Sequence, residues 1–164
     1  METLPIADPE PFRLALRVRH PSMDPAELSA AFGITPEYCF RAGDPCLSRS
    51  GGLTHAPVHP ESYWLGEVSP IGQQPSLGLP IMGDPRIAER QIAALRRSLS
   101  WALSLGCSGF FKTHAELLRR IRHDGGEVAL LVTIYSADSF SLPPTVTQLL
   151  GDLGITIEFE LAGE

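Results

Sequence analysis

The chain has 164 residues and a mass of 17.8 kDa, the size of one compact domain whose core needs no disulfide or metal support. Apolar residues make up 43% and charged residues 20%, which excludes wholesale disorder, while fifteen glycines and fifteen prolines predict long loops. The net charge of −6 disfavours nucleic acid, although it is unevenly spread: residues 86–123 carry eight bases against two acids, and residues 124–164 carry seven acids and no Lys or Arg.

Residues 1–11, with Pro5, Pro9 and Pro11, read as a mobile N-terminal arm ahead of a single domain over 12–164. Residues 12–20 alternate strictly. Phe12, Leu14, Leu16 and Val18 fall on one face and Arg13, Arg17 and Arg19 on the other, predicting a half-buried strand with a solvated arginine row. Asp24-Pro25-Ala26-Glu27 predicts a helix start: Asp24 caps free amides, Pro25 suits the first turn and Glu27 completes a capping box. Leu28, Ala31 and Phe32 face inward, and Gly33 ends the helix. Strands follow near 38–41 and over 62–68. The stretches 46–60 and 69–83 read as long loops, a length that is usually functional or disordered.

Asp84-Pro85 repeats the helix-start pattern and predicts the longest helix, running to about Leu105 before Gly106. Its core stripe is Ala88, Ile92, Leu95, Leu99 and Leu103. A second line of Ile87, Ala94 and Trp101, flanked by Arg90 and Arg97, predicts either a face covered by the next helix or an interface seam. Thr113 and Glu116 predict the cap of a further helix that closes at Asp124-Gly125-Gly126. The apolar run 128–135 reads as a central strand, 144–152 as a short helix closed by Gly154, and 155–161 as a last strand with Glu158 and Glu160 outward.

Two segments match at a constant offset of 121 residues: Leu28 with Leu149, Phe32 with Leu153, and Gly33-Ile34-Thr35 with Gly154-Ile155-Thr156. Each follows a strong strand. The pattern predicts an α+β fold with one mixed sheet, helices mainly on one face, two related strand–helix–strand units, and positive φ at both glycines.

The ordered set His20-Pro-Ser-Met-Asp-Pro-Ala-Glu-Leu28, Phe32-Gly-Ile-Thr-Pro36, Arg41-Ala-Gly-Asp44, Tyr63-Trp64 and Leu153-Gly-Ile-Thr-Ile-Glu158 resembles a bacterial family catalogued only as a domain of unknown function. The resemblance spans about 14–161, with a longer loop at 69–83. It implies a small α+β bacterial protein, some of whose relatives look like accessory or immunity-type proteins. It carries over no catalytic residue.

Arg41 and Asp44, spaced by Ala42 and Gly43 at a strand end, are the best candidate for gripping a ligand carboxylate or phosphate, with Trp64 as a further candidate contact. The structural alternative is an Asp44 turn cap and an ion pair. His55 and His59 have H-x3-H spacing, but Pro57 denies them a helix; Cys39, Cys46 and Cys107 are an odd set without zinc spacing. Neither a nucleophile elbow nor a phosphate loop occurs. The expected reading is a non-catalytic binding or interaction protein of immunity-like type, with no cofactor, metal, nucleic acid or membrane. A protein partner or second copy would meet Ile87, Arg90, Arg97 and Trp101. The alternative is a small-molecule-binding domain or minor enzyme with a pocket under 43–60 and 69–83. No apolar run approaches the ~18 residues of a membrane helix, and the acidic, Pro-broken opening at Met1–Pro5 is unlike a signal peptide, so a cytoplasmic location is expected.

Overall fold

The computed structural model describes residues 11–46, 57–68, 98–136 and 140–162. Five strands form one mixed sheet in the order β2-β3-β1-β4-β5, where β1 is Phe12–His20, β2 Tyr38–Phe40, β3 Ser62–Glu67, β4 Glu127–Ile134 and β5 Thr156–Leu161. All neighbours are antiparallel except β4 and β5. Among the described residues four helices accompany them: α1 (Pro25–Phe32), α2 (99–113), α3 (Ala115–His123) and α4 (Pro144–Leu153). The fold is α+β.

Alternation in β1 sets the layers. Leu14, Leu16 and Val18 meet Val132, Leu130 and Val128 of β4 in register, and Val18 meets Trp64 of β3. These residues form one core with Leu28 and Phe32 of α1, Leu103, Phe110 and Phe111 of α2, Leu118 and Ile121 of α3, and Val146, Leu150 and Leu153 of α4. The helices therefore pack on this face. The opposite face carries the arginine row, and each arginine meets a carboxylate: Arg13 pairs with Glu37 and Glu67, Arg17 is bidentate to Glu158 (2.5 and 3.0 Å), and Arg19 lies 3.6 Å from Glu61. That row is an ion-paired sheet face rather than a free positive stripe.

The two matched segments play equivalent parts. Gly33 and Gly154 both take the left-handed conformation, with φ of 66° and 65°, and close α1 and α4. β5 is parallel to β4, and β2 is parallel to β1 because both run antiparallel to the intervening β3. Both units are thus parallel strand–helix–strand crossovers, running outward in opposite directions from the central antiparallel pair β1–β4. They differ in one respect: β3 is inserted between β1 and β2, whereas β4 and β5 touch.

The middle of the chain departs from expectation. The backbone at Ser98 is extended (ψ 114°), and its hydroxyl accepts the Trp101 N–H at 3.4 Å, so a helix begins at Leu99 and no helix runs unbroken through residue 98. Of the predicted stripe, Leu99 and Leu103 are buried; Ala88, Ile92 and Leu95 lie outside the described residues. Nor does Gly106 end the helix. The chain passes through a π-helical turn at Ala102–Cys107 and continues as Ser108–Thr113, a run whose inward Phe110 and Phe111 tie it to the core. Thr113 turns its hydroxyl back to the Gly109 carbonyl (3.0 Å) instead of capping α3, whose N-cap position is His114.

Candidate functional site

Strand β2, at the edge of the sheet among the described residues, and the turn after it gather the predicted polar residues. Residues 38 and 40 point to the helix-free face beside Leu65 and Tyr63, while Cys39 shares the helix face with Trp64. Just beyond the strand, Arg41 pairs with Asp24, the residue that also caps α1 by accepting the Ala26 N–H at 2.9 Å. Asp44 accepts the Arg41 backbone N–H at 2.8 Å, and its own N–H returns to the Arg41 carbonyl at 3.1 Å. Asp44 is therefore a turn cap, and the arginine's carboxylate partner is Asp24. The hydrogen bond from Arg41 holds the Asp24 carboxyl below its ordinary range, with a further contribution from the Ala26 amide. Asp24 in turn raises the Arg41 pKa.

Two open clefts of about 420 and 500 Å³ flank this pair. Glu27, Arg120, Asp124 and His20 contribute to the smaller, and Ser29, Cys39, Phe40 and Asp44 to the larger. His20 is 6% exposed. Its Nδ1 accepts the N–H groups of Ser22 (3.1 Å) and Met23 (2.8 Å), which assigns the proton to Nε2, and Nε2 has no acceptor among the described residues. Opposite charges are mixed throughout the clefts, and the acids and bases nearest Arg41 hold one another or cap backbone. This arrangement can present charge to a partner. Among the described residues no cluster of three His, Cys, Asp or Glu side chains is placed to hold a metal ion.

Trp64 lies elsewhere. Its ring is 0% exposed, its Nε1–H donates to Ser29 Oγ at 3.0 Å, and Phe32 packs on it with centroids 5.3 Å apart. It anchors α1 to β3 and does not share a cleft surface with Arg41 and Asp44. Trp101 is half-buried against the core; Ile87, Arg90 and Arg97 lie outside the described residues. Most of 46–60 and 69–83 also lies outside them. The described ends of the first loop pair with each other, as Gly43, Asp44 and Cys46 exchange backbone hydrogen bonds with His59 and Pro57. His55 falls outside the described residues, and His59 stacks on Phe40 at 3.6 Å.

That stacking belongs to a ring cluster the candidate residues did not include. Phe40 also stacks on Tyr63 (5.3 Å), and Tyr38 makes edge contacts with both (5.7 and 5.8 Å) while remaining 57% exposed. The signal was present as alternation: Tyr38 and Phe40 share one parity, and Tyr63 and Leu65 another that faces it across the sheet. Comparison of the chain with protein-family models, curated proteins and solved structures finds no match.

Proposed function

We propose that the chain is a non-catalytic binding protein that engages a protein partner through the β2 edge of its sheet, an immunity-like role in which one protein covers another. The observation that carries this reading is the ring cluster of Tyr38, Phe40, Tyr63 and His59 on the helix-free side of a strand that ends the sheet among the described residues. Rigid aromatic rings with an arginine in register beside them, here Arg19 opposite Tyr63, are the composition of interface hot spots, because they bury much area at small entropic cost. The paired arginine row beside it gives the sheet face no net positive stripe, which favours protein over nucleic acid as the partner. The bacterial family resemblance and a cytoplasmic location belong to the same proposal.

Capture on the full chain from the cells that make it, followed by reconstitution of the captured protein with the purified chain, tests the reading. A binary complex weakened at least about tenfold by Tyr38→Ala, in a variant with unchanged circular dichroism, is expected. A complex indifferent to Tyr38 and Tyr63 would overturn it. So would an empty capture together with a small molecule that raises Tm and shifts the resonances of the cleft residues.

A further inference from the structure

The opposite edge of the sheet carries a different kind of surface. β5 ends the sheet, and among the described residues nothing pairs with its outer side. The Ala162 N–H donates to the Ile134 carbonyl of β4 at 3.0 Å. By the two-residue alternation of a strand, the N–H and C=O groups of Ile157, Phe159 and Leu161 then point away from β4, a row that no described residue pairs and that can receive a further strand. The side chains of these residues share the helix face. Phe159 is 40% and Leu161 78% exposed, and Phe140, itself 39% exposed, stacks on Phe159 at 5.0 Å. On the other face stand Glu158 and Glu160.

We infer that β5 is a docking edge for an extended basic segment of a partner protein, which adds to the sheet as a further strand with alternating cationic and apolar side chains. Charge decides against a second copy. Two β5 strands meeting about a two-fold axis through their outward groups would set even-numbered residues against even-numbered residues, so that carboxylates face carboxylates or Thr156. Glu158 is held by Arg17, Glu160 has no cationic partner among the described residues, and 124–164 contains no Lys or Arg to supply one. Lysines or arginines at alternate positions of an incoming strand complement this edge, while its apolar positions cover Phe140, Phe159 and Leu161. β5 contains no proline, lysine or bulge to blunt pairing, and its register with β4 is continuous from Thr156 to Leu161.

The test uses the purified full chain and a short synthetic peptide alternating lysine with valine, with a glutamate–valine peptide as control. Binding of the lysine peptide should slow amide exchange at Ile157, Phe159 and Leu161 and weaken as salt is raised. Leu161→Pro removes an outward N–H and leaves the β4 ladder intact, so it should weaken binding by about tenfold. Glu160→Lys, an exposed change that spares the fold, should do the same and improve binding of the control peptide. Equal binding of the two peptides, protection elsewhere than β5, or a peptide-free dimer that protects these amides would overturn the inference.

Discussion

Gly66 follows Trp64 by two residues in β3, and the indole takes the space where its side chain would stand. A Cβ there would lie 2.5 Å from Trp64 Cη2 and 2.9 Å from Ile34 Cγ2. Gly66→Ala is therefore expected to cost about 1–3 kcal/mol or more by displacing a ring that is fully enclosed; denaturant unfolding at unchanged stability would contradict this packing. Arg41 offers a second check at the same scale. Its hydrogen bond is the largest cause of the lowered Asp24 pKa, so Arg41→Gln should let that carboxyl titrate closer to its ordinary 3.8. Carboxyl NMR titration reads this directly. A lowered Asp24 pKa contributes stability above the ordinary value that is lost as pH falls through the folded one, so the variant should also flatten the acid limb.

Elements were legible where local chemistry decides them. Strict alternation marked β1, Asp24-Pro25 marked the start of α1, and the shared Gly-Ile-Thr marked two helix ends with φ near +65°. Gly33→Ala should cost about 1–2 kcal/mol from the left-handed backbone alone. Gly154→Ala should cost about the same, because the group its Cβ would meet, the Arg122 guanidinium with Nε at 2.9 Å, is the far end of a flexible side chain that can swing aside, and Tm measurements on both variants compare them. A clearly larger cost at Gly154 would mean that Arg122 is held in place. Tertiary packing decided the rest. Buried Phe110 and Phe111 carry α2 past Gly106, where punctuation alone predicts a stop, and Thr113 bonds backward within its own helix. The pairing of Arg41 with Asp24, 17 residues apart, depends on the path of α1 over the sheet. Spacing pointed to Asp44, which is nearer in sequence. The ring cluster was missed for a related reason: alternation separates Tyr63 from Trp64, but only the order β2-β3-β1 shows which of them the helices cover.

At the scale of the molecule, helices cover one sheet face, ion pairs run over the other, and the two edges differ in chemistry. His114 sits where three helices meet, with its ring edge-on to Phe32 of α1 (5.2 Å) and against Phe110 of α2 (4.6 Å) at the start of α3. Burial pushes its pKa below the ordinary 6.5. The unfolded chain then binds a proton that the folded chain refuses, so this group's contribution is fully present above pH 6.5 and is lost as pH falls from there through the folded value. Unfolding at graded pH should show that loss, and His114→Phe should remove it. Site-specific photo-cross-linking reads a partner's contact with the β2 edge residue by residue. A photoreactive phenylalanine analogue at position 38 should yield a discrete covalent adduct with one protein in the cells that make the chain, while the same group at the exposed helix position Glu116 should not. No adduct at position 38 above the level at position 116 would contradict a partner seated on the β2 edge.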